Sequence, residues 1–172
     1  MSDQKKIQES LQRVIELYTQ NPDKAVGADK EAVAIIEEGL RARAKGPDGQ
    51  MLISDMPKGL GGGATAPSPG WMMRAALANC EAITIALHAA QLGIELKTLE
   101  VRVDSTSDDR GLLGMDDSIP AGPLSIKVSI RIGAKGVSSE RLRKIVEYAE
   151  THSPVGEPLT RVMPTEYSVN IV

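Results

Sequence analysis

Near the start of the chain Ile7, Leu11, Val14, Ile15 and Tyr18 recur at helical spacing, with Lys, Gln and Glu between them. This pattern predicts an amphipathic helix that ends before the NPDK at 21–24, read as a surface helix docked on the body or, alternatively, as a regulatory or partner-binding arm. The period then shortens. Residues 32–36 are compatible with a strand, and Leu40, Ala42 and Ala44 alternate with Arg41, Arg43 and Lys45. A GPDG turn at 46–49 follows, and Met51 to Ile53 resume the strand character, so the segment reads as a β-meander. Because side chains repeat every second residue along a strand, Arg41 and Arg43 share a face.

A Gly/Pro loop, GLGGGATAPSPG, leads into the longest apolar run. Ser68 is a good N-cap and Pro69 a good first helical residue. The helix is expected from about Pro69 to Leu92, with Gly93 stopping it. Its alanines at 75, 76, 78, 82, 86, 89 and 90 let neighbouring backbones approach, which predicts packing on several sides. Next come two alternating strands, one with Leu99, Val101 and Val103 on a face, the other with Leu124, Ile126, Val128, Ile130 and Ile132. The polar segment 104–123 between them is too long for a tight hairpin and reads as a surface excursion ordered by Arg110 against neighbouring carboxylates.

A second amphipathic helix follows, capped by Ser138, with Leu142, Ile145, Val146 and Ala149 as its buried stripe, and it stops near His152 because Pro154 follows. Tyr167, Val169 and Ile171 alternate in the tail, which predicts an edge strand with Pro164 at a break. Meander, long helix, strand pair, second helix and closing strand make an α+β domain. Residues 1–22 form an N-terminal helical extension and 23–172 the domain proper.

Composition narrows the chemistry. With 172 residues the chain suits one domain or two intimately joined lobes. A net charge of −3 lacks the Lys/Arg excess of nucleic-acid binders. Arg74, Glu81 and His88 interrupt the best candidate for a membrane span. The first residues lack the apolar core of a signal peptide, so a cytoplasmic location is expected. Aromatic content is 2% with no Phe, which argues against base-stacking platforms. It leaves a core of Leu, Ile, Val, Met and Ala, of the kind that gains buried area by oligomerising.

No cofactor or metal is expected. One cysteine cannot form an intramolecular disulfide or a cysteine-based zinc site, and His88 and His152 share no ligand spacing. The acidic DDRGLLGMDD segment lacks the EF-hand pattern. The glycine loop matches neither phosphate-binding motif, having no GxxxxGK[ST] and no GxGxxG after a buried strand. Cys80 itself has two readings, a reactive thiol or a small buried hydrophobe. Trp71, Met72 and Met73 are candidates for an adaptable pocket wall. His88 reads as structural or as an interface group, since two helical turns place it about 12 Å from Cys80 along the axis.

The residues from about 32 to 172 resemble the OsmC/Ohr family, the osmotically inducible and organic hydroperoxide resistance proteins. The ordered features are GLRAR with its turn and short strand, the glycine loop running into PSPGWMMRAALANC, then AITIALHAAQLGIEL, LEVRVD, DDRGLLG, LSIKVSIRI and AETHSPV. The resemblance implies two antiparallel sheets around long central helices in an intertwined homodimer. It also implies active sites at the subunit interface and thiol-dependent reduction of organic or fatty-acid hydroperoxides. Cys80 matches the peroxidatic cysteine. Arg41, with Arg43 on the same face, matches the arginine that favours the thiolate and orients the peroxide. The family glutamate ten positions before the cysteine falls at Gly70, and the resolving cysteine falls at Ser153. Glu81 is a candidate to bridge to Arg41 in place of that glutamate. With no second thiol, turnover calls for an external thiol reductant or Cys80 of the other chain. The alternative is a non-enzymatic dimer that holds a small apolar or lipid-like molecule in its interface cleft.

Overall fold

A computed structural model describes residues 3–172. Helix α1 covers Asp3–Gln20 and ends where Pro22 opens a short 3-10 turn, as the apolar spacing predicts. The meander follows as β1 (Val33–Glu38), β2 (Arg41–Lys45) and β3 (Met51–Ser54), an antiparallel sheet in the order β1-β2-β3. Ile35 pairs with Arg43, and Arg43 with Ile53. An irregularity between Ile36 and Glu38 shifts the register, so that Glu38 faces Arg41.

Helix α2 (Pro69–Gln91) is the centre of the molecule. Ser68 caps it by accepting from the Trp71 N–H at 3.3 Å. At the far end Gly93 takes φ +71°, where a side chain is strained, and the Ile94 N–H reaches back to the Ala89 carbonyl at 2.8 Å. The Gly93 N–H bonds Ala90 at 3.0 Å, completing the paired closure that ends many helices. Ile94 is thereby delivered into the core beside Ala89.

Strands β4 (Leu96–Thr106) and β5 (Ser125–Ala134) pair antiparallel as a second sheet. Between them Asp108 caps the single turn α3 (Asp109–Leu112), and Arg110 grips the Asp108 carboxylate with Nε at 3.0 Å and Nη2 at 2.6 Å. The excursion is thus ordered as its charges suggested. Helix α4 (Ser139–His152), capped by Ser138, lays Leu142, Ile145 and Ala149 against α2. The core is Ile85, Ala89, Ile94, Leu142, Ile145 and Ala149, with Leu99, Val101, Ile130 and Ile132 of the second sheet packed against it.

One expectation needs correction. The tail beyond a 3-10 turn at Glu157–Thr160 forms no strand, and Tyr167 and Ile171 are each 91% exposed. Alternation supplies a strand with a face, but a strand also needs a neighbouring ladder, and among the described residues none meets the tail. Helix α2 is packed on several sides, against α1, β4 and α4. Leu77, Glu81, Thr84 and Ile85 are buried, whereas Ile83 and Leu87 on the other side lie open. No helix of the described residues is long and apolar enough to cross a membrane.

Candidate functional site

Cys80 sits midway along α2, at the border between its buried and open faces, and is partly buried. Its polar neighbour comes from the end of α4. Pro154 cannot continue that helix, so Ser153 becomes its C-cap with extended backbone while its N–H still bonds the Ala149 carbonyl at 2.9 Å. The fully buried Ser153 hydroxyl donates to Cys80 Sγ at 3.2 Å and accepts from the Gly156 N–H at 3.0 Å. Ser153, the position that the resemblance aligns with a second cysteine, therefore touches Cys80.

Glu81 is the next residue on α2 and is only 5% exposed. Burial pushes its carboxyl above the ordinary 4.5; the Ser153 hydroxyl pulls it back, and the Glu150 charge adds to the rise. Oε2 has no hydrogen-bond partner. Gly156 packs closely here: a Cβ would lie 2.5 Å from Glu81 Oε1 and 3.0 Å from Ser153 Oγ, so a side chain would displace the Glu81 carboxyl.

The sulfur and the carboxylate line different hollows. Cys80 opens on a cavity of about 390 Å³ lined by Leu11 and Ile15 of α1, Ile83, Leu87 and His88 of α2, and Tyr148 of α4. Glu81 lines one of about 460 Å³ against β5. His88 stacks on Tyr148 with ring centroids 3.7 Å apart, and Tyr148 on His152 at 3.8 Å, making an aromatic wall beside Cys80. His152 Nδ1 lies 2.8 Å from the Tyr148 carbonyl, so this imidazole is not directed at Ser153. Trp71 does not join the Cys80 wall. It is 52% exposed and lines a separate cleft with Asp55, Pro67 and Arg74. Its place in the first turn of α2, more than two turns before Cys80, puts it at the other end of the helix.

The arginines lie in the first sheet. Arg41 donates to Thr65 Oγ1 at 2.6 Å and lies 3.5 Å from Glu37, and Arg43 Nε donates to Glu37 Oε1 at 2.5 Å. Both guanidinium groups, Arg43 first, hold the Glu37 carboxyl below its ordinary range. Within one chain no bond joins Arg41 or Arg43 to Cys80 or Glu81 among the described residues.

Sequence reasoning missed two anchors of this group. One is Glu37, whose pairing depends on the strand irregularity beside it. The other is Asp55, 3% exposed, which accepts from the Thr65 N–H at 3.0 Å and hydroxyl at 2.8 Å. Those bonds hold its own carboxyl down and fix the oxygen that Arg41 uses. An acid preceding the glycine loop was the only signal for Asp55.

The family model described as OsmC-like protein matches residues 61–168. No curated protein matches. Among solved structures the chain resembles an OsmC-like protein from Mycoplasma pneumoniae, with TM-score 0.66 and 19% identity over 80% of this chain and 91% of that one. It resembles an osmotic stress induced and detoxification response protein from Psychrobacter arcticus 273-4 with TM-score 0.61 and 17% identity, over 77% and 89% of the two chains. It also resembles an organic hydroperoxide resistance protein OsmC from Legionella pneumophila, with TM-score 0.56 and 19% identity over 77% and 91%. At these identities the likeness is one of fold.

Proposed function

Because the chain belongs to the OsmC-like protein family, we propose that it reduces organic hydroperoxides with Cys80 as its single peroxidatic thiol. The contact that carries this reading is the 3.2 Å approach of Ser153 Oγ to Cys80 Sγ. It supports a two-sulfur geometry that persists with one sulfur replaced by oxygen. A serine hydroxyl stabilises a thiolate by hydrogen bonding but takes no part in thiol exchange.

In the proposed cycle the Cys80 thiolate attacks the terminal peroxide oxygen. The S–O bond forms as the O–O bond breaks, and the leaving alkoxide takes up a proton to become the alcohol. The resulting sulfenic acid condenses with an external thiol, losing water, and a second thiol attacks that mixed disulfide and frees Cys80. The apolar part of the peroxide is received by the Leu11, Ile15, Ile83 and Leu87 surface. Arg41 supplies positive charge from the meander of a second copy in a homodimer, oriented by Glu37 and Thr65. Arg43 shares the same carboxylate.

The second reading keeps the dimer and its cleft but leaves Cys80 inert, with the same apolar surface holding a lipid-like molecule. Steady-state consumption of dithiothreitol in the presence of an organic hydroperoxide separates the two. Under the first reading the wild type consumes reductant well above a Cys80→Ser control. Equal rates favour the second.

A further inference from the structure

The hollow beside Glu81 is not used by the thiol chemistry. Leu77, Leu124, Ile126, Val128, Ile130 and Leu159 form the apolar part of its wall, and its volume of about 460 Å³ is in the range of small-molecule pockets. Two carboxyl groups, Glu81 and Glu150, line it, and no Lys or Arg does. Neither acid forms an ion pair among the described residues. Glu81 is more than nine-tenths buried, and its Oε2 is shielded from solvent without a hydrogen-bond partner. A buried oxygen of this kind costs free energy until something donates to it.

We propose that this cavity binds a cation carried on an apolar stem, an alkylammonium or alkylguanidinium group, with Glu81 as its anchor. The head pairs with the Glu81 carboxyl group by a charge-assisted hydrogen bond, Glu150 adds attraction from the cavity margin, and the stem lies along the β5 side chains. The same chemistry has two sources. One is a free amphiphilic amine. The other is an arginine of a second copy, Arg41 or Arg43.

Burial raises the Glu81 carboxyl above its ordinary range. A cation and a proton therefore compete for it, so affinity rises with pH through the carboxyl's elevated range.

The test is calorimetric titration of the full-length protein at neutral and mildly acidic pH with hexylammonium and hexylguanidinium, with hexanol as the neutral comparator. We expect saturable binding of the cations, none of hexanol, and weakening at the lower pH. Glu81→Gln lowers affinity by about tenfold or more, the scale of a lost hydrogen bond to a charged group. The exposed Glu150→Gln weakens it by less and guards against a folding artefact at position 81. If only Arg41→Ala or Arg43→Ala opens the site to the probes, the second copy's arginine is the resident cation. Absence of binding in every variant, or equal binding by Glu81→Gln, overturns the proposal. Cys80→Ser should bind as the wild type does, so failure of the peroxidase reading is distinguishable from failure of this one.

Discussion

The two sheets of this molecule are held by different physics. The β4–β5 ribbon lies on α2 and α4 and shares a continuous apolar core in which Ile85 and Ile145 are fully buried. The β1–β3 meander packs extensively only within itself. Its Ile35, Ile36, Met51 and Leu52 are 48%, 65%, 63% and 63% exposed, so no comparable core supports it. What orders it is polar: the Glu37 carboxylate between two guanidinium groups, and Asp55 holding the loop through Thr65. Apolar burial holds the ribbon regardless of pH, whereas the meander's charges keep their positions only while ionised. A sheet with apolar residues left open and arginines fixed in place suits a surface completed by a second copy, which is the arrangement the proposed site needs.

Substitutions sharpen this contrast in order of expected size. Ile145→Ala removes a fully buried side chain from the shared core, and denaturant unfolding should show a loss of about 2–5 kcal/mol. A small loss would mean that the helices and ribbon are less tightly joined than their packing implies. Ser153→Cys places a second thiol where the hydroxyl already meets Cys80. After one equivalent of peroxide it should form an intrachain disulfide, seen by non-reducing mass spectrometry, and raise stability by about 2–4 kcal/mol. Only overoxidised Cys80 would show that the backbone there does not accept the bond.

Smaller effects follow. Glu81 has a raised carboxyl pKa in the folded state, so the native protein holds that proton longer than the unfolded chain does. Its contribution to stability is present below the ordinary 4.5 and is lost as pH rises through the elevated folded value. Glu81→Gln should flatten this decline across the mildly acidic range in thermal melts, and an unchanged slope would contradict it. In the tail, Tyr167→Ala should change stability by no more than about 0.5 kcal/mol, as expected for an exposed residue without partners. A larger cost would show that the tail pairs in the assembled protein.

How much of this was legible in the sequence differs by the same divide. Local rules placed α2 between Ser68 and Gly93, ended α4 at Pro154 and alternated β4 against β5, because caps, prolines and period act within a few residues. The resemblance placed Ser153 opposite Cys80 before any distance was known. Glu37 and Asp55 stayed hidden because their roles arise from a register shift and a loop closure, which bring residues 6 and 10 positions apart into contact. The tail misled because alternation states which side chains share a face and says nothing of whether a ladder partner exists. The separate hollows of Cys80 and Glu81 were equally unreadable, since adjacent helical residues point apart by an angle whose surroundings only packing decides.

The most direct test of the central claim is a single-turnover experiment on the native protein. One equivalent of an organic hydroperoxide is added with dimedone present, and the site of the adduct is read by peptide mass spectrometry. A sulfenic-acid adduct on Cys80 is expected, formed faster with the organic hydroperoxide than with hydrogen peroxide. An unmodified Cys80 after complete mixing would leave the sulfur as a lining atom of an apolar cavity and contradict the proposed chemistry.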